Sequence, residues 1–204
     1  MLGDLWSFQG RYRTLHLTWI AFFLTFVVWF NLAPLATTVK ADLGLTVGQI
    51  RTVAICNVAL TIPARVLIGM LLDKFGPRIT YSSILVFSAI PCLLFASAQD
   101  FNQLVVARLL LSIVGAGFVI GIRMVAEWFP PKEIGLAEGI YGGWGNFGSA
   151  FSALTMVAFA GFLSFSGGFE LPTGAVLNWR GAIALTGIIS AVYGLFYFFN
   201  VTDT

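Results

Sequence analysis

Arg65 lies inside an apolar stretch, residues 53–72, that is long enough to cross a bilayer. A cation near the bilayer centre costs about 2.5–3.5 kcal/mol on insertion scales. Such side chains face protein-lined cavities and do a job there, and the job open to a cation is to hold an anion. A second polar group, Asn146, lies in another apolar stretch, residues 134–163, within the run Gly142-Gly143-Trp144-Gly145-Asn146-Phe147-Gly148. An amide near the bilayer centre needs hydrogen-bond partners, and helix packing alone does not call for one. Guanidinium is flat, permanently charged and presents paired donors in a fork, so it suits a small flat anion with several acceptor oxygens. Lysine would keep the charge and lose the fork. Glycines around Asn146, Gly145 among them, would leave room for a small ion against backbone, and Phe147, Trp144 or Phe118 could supply flat walls. Nitrate, nitrite, formate and small carboxylates all meet that description, so residue chemistry by itself reads "small anion".

The other charges have simpler readings beside sharper ones. Arg108 stands near one end of the stretch 104–126, where an arginine can snorkel to the interface. Arg123 and Glu127 are one helical turn apart and can pair, for about 0.2–0.5 kcal/mol. The sharper expectation is that Arg123 reaches Asp73 and forms an inner latch broken on each cycle of movement. Glu138 could titrate, but the simpler reading is that it favours the N-terminus of its helix. Gly135, Gly139 and Gly143 are spaced by four, which lets a neighbouring helix approach closely, a role that suits the first two. The same region spells a Gly-x-Gly-x-x-Gly string, but no strand precedes it and no acidic residue follows about 20 positions on, so no dinucleotide site is expected. Cys56 and Cys92 read as small core residues, and a single histidine, His16, gives a metal site no material. No nucleophile–base pair or paired carboxylate falls within the apolar stretches, so neither an enzyme nor a cofactor is implied.

The elements that must position these residues follow from composition. Hydrophobic residues make up 58% of the chain and charged ones 10%, against about 25% charged in soluble domains. The solvent is therefore lipid, and the fold class expected is an all-α membrane protein. A net charge of +2 without a basic run excludes a nucleic-acid partner. About 20 apolar residues of helix cross a hydrocarbon core. Six such spans are expected over residues 15–38, 53–72, 79–98, 104–126, 134–163 and 182–199, forming one bundle over residues 1–204. The longest connection, 164–180, holds Gly167, Gly168, Pro172 and Gly174. Arg11, Arg13, Lys74, Arg78, Arg123 and Lys132 fall on one side, against Lys40, Arg51 and Arg180 on the other. This bias puts the N-terminus and both charged hairpins in the cytoplasm. The first span is too long for a signal-peptide core and stays in the membrane.

The last three spans can repeat the first three with inverted topology, the usual logic of secondary transporters. The second and fifth spans are then counterparts, one interrupted by Pro63 and Arg65, the other by glycines. Between the second and third spans lies Gly69-Met70-Leu71-Leu72-Asp73-Lys74-Phe75-Gly76-Pro77-Arg78, in which Gly76 permits a tight turn and Pro77 restarts a helix. Asp73 and Arg78 cap the adjacent helix ends. This pattern resembles the signature loop of the major facilitator superfamily. The resemblance implies a six-helix N-terminal bundle, cytoplasmic termini, alternating access, and a conformational role for Gly69, Asp73, Gly76, Arg78 and Arg123. Glu127-Trp128-Phe129-Pro130-Pro131-Lys132-Glu133 through Gly148 is similar to the nitrate/nitrite porter family within it, as are Asn31-Leu32-Ala33-Pro34 and Pro63-Ala64-Arg65. By that resemblance, which holds especially for members of cyanobacterial type, Arg65 is the substrate arginine and Asn146 a pocket residue. Arg108 is where family members often carry an arginine, but the glycine expected four residues on is Ser112.

The superfamily unit has twelve helices, so the partners implied are nitrate or nitrite, the lipid bilayer, and either a C-terminal six-helix half or a second copy of this chain. A truncated chain, an isolated half and a six-span protein ending at Thr204 that dimerises all fit the sequence. The function expected is secondary active transport of nitrate or nitrite across the plasma (inner) membrane. Transport of another small anion, and a six-helix assembly subunit that does not transport, are the alternatives. Proton symport and nitrate/nitrite exchange both stay open.

Overall fold

A computed structural model describes residues 7–203; Thr204 falls outside them. The helices are α1 (Gly10–Phe30), α2 (Ala36–Asp42), α3 (Val47–Ala59), α4 (Thr61–Phe87), α5 (Ala89–Ser97), α6 (Phe101–Ser112), α7 (Gly117–Trp128), α8 (Pro131–Phe162) and α9 (Trp179–Asn200), with 3₁₀ turns at Ala33–Leu35, Ile113–Ala116 and Leu163–Ser166. Prolines explain three of the interruptions. A proline ring clashes with the carbonyl four residues earlier and offers no N–H. Four residues before Pro34, Pro63 and Pro91 stand Phe30, Ala59 and Phe87, the last residues of α1, α3 and α4. Helix starts are equally local. Thr46 and Gln49 form a capping box at α3, Asp100 accepts from Gln103 N–H at α6, and Asn178 accepts from Gly181 N–H at α9.

Among the described residues, five helical stretches are long and apolar enough to cross a membrane, and one of them, Val47–Ser97, holds two crossings. Gly76 reverses it, with φ 78° and ψ 167°. Before the turn, Leu60 meets Ser112 and Asp73 meets Arg123, so the chain runs alongside α6 and α7. After it, Arg78 meets Asp203, and Leu85 and Cys92 lie against Gly194 and Gly187, so the chain returns along α9. Six crossings result. Many large apolar side chains, such as Ile62, Leu154, Phe162 and Phe199, point outward, as lipid requires.

Within this chain, close helix packing falls to glycines other than the spaced set. A Cβ added at Gly135, Gly139 or Gly143 would meet nothing within 4 Å. The glycines that bring helices together are others: Gly145 against the Phe22 ring, Gly148 against the Phe23 carbonyl, and Gly121 against Tyr141. The connection before α9 also departs from an all-helical chain. It forms a small antiparallel hairpin of β1 (Phe169–Glu170) and β2 (Val176–Leu177), with Phe169 opposite Leu177.

Candidate anion site and inner ion pairs

Arg65 sits five residues beyond the break at Leu60, on an α4 whose other face is buried through Thr61, Ala64, Ile68 and Leu72. Its own face is open: Ile62, Pro63, Arg65, Val66, Leu67 and Met70 are all exposed. Arg65 makes no hydrogen bond or ion pair among the described residues. The guanidinium is thus presented with its full donor set on an apolar surface.

Asn146 is exposed on α8, where its Nδ2 donates to the carbonyl of Gly142 at 2.7 Å. An amide nitrogen carries two hydrogens, so one donor and the Oδ1 acceptor remain available. Phe147 and Trp144 stand exposed beside it, their rings 6.1 Å apart, with Phe147 stacked on Phe23 and Trp144 tilted against Trp19. Two parts of the expected pocket lie elsewhere. Gly145 is buried under Phe22, so it serves close helix approach and offers no surface to a ligand. Phe118 stacks inward on Tyr141. No hydrogen bond among the described residues links Arg65 with Asn146; the two occupy separate helices that flank α1 and α7.

Arg108 does not snorkel. It is fully buried, because Asn31 and Asn57 offer it amide oxygens inside the bundle. Its guanidinium donates to Asn31 Oδ1 at 2.8 Å and Asn57 Oδ1 at 3.2 Å, and lies 4.3 Å from the centre of the Phe95 ring. Asn31 in turn donates to Thr186 Oγ1 at 3.0 Å. Asn57 and Trp29 exchange hydrogen bonds, Trp29 Nε1 to the Asn57 carbonyl at 2.7 Å and Asn57 Nδ2 to the Trp29 carbonyl at 2.8 Å. This polar set escapes sequence reading because its members come from four separate spans, the first, second, fourth and sixth. The signals in the sequence were Arg108 itself and two asparagines inside apolar runs.

The charged end is built as a set of pairs. Arg123 bonds to Asp73 at 3.1 Å and also to Glu127, so both expected pairings are made at once. Arg11 pairs with Glu133 at 2.8 Å, and Arg13 donates to Asn200 Oδ1 at 2.9 Å. Arg78 lies over the Phe198 ring, and its backbone N–H donates to Asp203 Oδ1 at 2.8 Å. Gly69 stands clear of neighbours.

A family model described as Major Facilitator Superfamily matches residues 18–204. The chain is 63% identical over its whole length to the nitrate/nitrite transporter NrtP of Picosynechococcus sp., of which it covers 41%, and 61% identical to that of Nostoc punctiforme, of which it covers 40%. It is 30% identical, over 93% of its length, to the probable nitrate/nitrite antiporter NarK1 of Thermus thermophilus, covering 42% of that protein. The chain therefore spans about two-fifths of the length of these relatives. A bacterial homologue of the human lysosomal transporter Spinster, inward-facing and occupied, aligns with a TM-score of 0.76 at 19% identity, covering 95% of this chain and 44% of that one. At that identity the likeness is one of fold. With six crossings in the same arrangement and a family match that leaves only the first turns of α1 and the residues before it outside, this chain belongs to the major facilitator superfamily, as the N-terminal six-helix half of its fold.

Proposed function

We propose that this chain is the N-terminal half of a secondary transporter that moves nitrate or nitrite by alternating access, with Arg65 coordinating the anion. The observation that carries the reading is an arginine exposed on an apolar helix face, with no ion-pair partner among the described residues. The names of the relatives, all nitrate or nitrite transporters, supply the identity of the anion. The polypeptide's remaining length would form a second six-helix bundle facing Arg65, Asn146 and Phe147, and would complete the coordination of the ion. The positive-inside bias supports a cytoplasmic location for the end bearing Arg11, Asp73 and Arg123, in a transporter of the plasma membrane.

Nitrate uptake by Arg65→Lys in the full polypeptide tests this. A fork donating two charge-assisted bonds becomes a point charge, so uptake is expected to fall roughly tenfold or more, the worth of one such bond. Uptake within about twofold of the parent would sink the assignment, because loss of the fork would then cost less than one such bond.

A further inference from the structure

Pro63 ends α3 at Ala59, and α4 starts at Thr61, with Leu60 between them at φ −96° and ψ 5°. Where the helical ladder is interrupted, the direction in which α4 leaves α3 is set by other contacts at the break. Those contacts come from the fourth and first crossings. Leu60 N–H donates to Ser112 Oγ at 3.2 Å, and Thr61 Oγ1 donates to the Ser112 carbonyl at 3.4 Å. Ser112 is fully buried, and its hydroxyl hydrogen goes to the Leu109 carbonyl at 2.7 Å, which leaves its oxygen to accept from Leu60. On the α3 side, Asn57 is held by Arg108 and Trp29. The α3–α4 break therefore lies against a second one, since α6 ends at Ser112 and gives way to the 3₁₀ turn Ile113–Ala116. Arg65 follows five residues after Leu60, a rise of about 7.5 Å.

We infer that Ser112 is a positioning residue for Arg65: its hydroxyl fixes the Pro63 break at the angle that presents the guanidinium to the anion. The inference rests on Arg65 being the anion ligand proposed above. Without the hydroxyl, Leu60 N–H loses the acceptor that ties it to the fourth crossing and keeps only its contact with the Val58 carbonyl, so the break is free to turn, carrying Arg65 with it. The consequence falls on binding of the anion, not on the rate of later steps.

The test is nitrate uptake by the full polypeptide, normalised to transporter in the membrane. Ser112→Ala is expected to raise KM roughly three- to tenfold, the effect of one hydrogen bond. Its maximal rate should stay within about twofold of the parent, as for a loss of binding alone. Ser112→Thr keeps the hydroxyl and is expected to restore KM. Pro63→Ala lets the ladder close, so in that background Ser112→Ala should add less than it does alone. Ser112→Gly serves as a second variant without the hydroxyl should the alanine protein not accumulate. An unchanged KM, or a fall in maximal rate that threonine does not reverse, overturns the positioning role. Arg65→Lys separates the two ideas. If it transports with the parent KM, the anion reading falls and takes this one with it. If it is impaired while Ser112→Ala is not, only the positioning role is lost.

Discussion

Arg108 is surrounded by neutral groups: two amide oxygens and the face of Phe95. Its Nε finds no partner among the described residues. Removing an acceptor from a buried cation costs more than an ordinary hydrogen bond, about 1.5–3 kcal/mol. Asn31→Leu is therefore expected to lower the thermal midpoint of the purified protein by several degrees, an effect that a thermal-shift assay in detergent resolves. An unchanged midpoint would mean that Asn31 does not hold the guanidinium. Arg65 is the opposite case, exposed and with no hydrogen-bond partner among the described residues. Both residues could be picked out in the sequence as charges inside apolar runs, but their surroundings could not. Whether an arginine reaches the interface or is buried depends on which asparagines the tertiary fold brings to it, and Asn31 and Asn57 lie far from Arg108 in the chain.

At the scale of helices, prolines are the most legible marks. The ends of α1, α3 and α4 each fall four residues before one, as the steric rule requires. Glycines are less so. A spacing of four shows that Gly135, Gly139 and Gly143 share a face, but not whether a helix lies against it. The contact face of α8 runs through Gly145 and Gly148 instead. The two sets predict opposite outcomes for the same change. Gly145→Ala drives a methyl into the Phe22 ring and is expected to destabilise the six-helix chain by about 1–3 kcal/mol, the usual range for overpacking. Gly139→Ala meets nothing and removes a poor helix former, which should stabilise the chain by about 1 kcal/mol or leave it unchanged. Parallel melting of the two variants in detergent checks this, and equal midpoints would contradict the placement of α1 against α8.

For the molecule as a whole, six crossings were legible because a bilayer demands apolar runs of fixed length. The β-hairpin before α9 was not, since Gly167, Gly174 and Pro172 signal turns without saying what pairs across them. The charged end offers the clearest test of movement. Asp73 and Arg123 are both largely exposed, with side chains 73% and 48% accessible. An exposed pair contributes only about 0–1 kcal/mol, which suits a contact made and broken repeatedly. Exchanging the two residues should recover transport lost in either single variant; a double exchange no better than the singles would dismiss the latch. At the same end, Asp203 holds the start of the helix that follows Gly76, and 125 residues separate it from Arg78. Because a polypeptide is synthesised from its N-terminus, the turn at Gly76 is made long before Asp203 exists to close it. Assembly of this bundle has a late step written into it: the loop between the second and third crossings waits for the sixth to be finished before its last hydrogen bond can form.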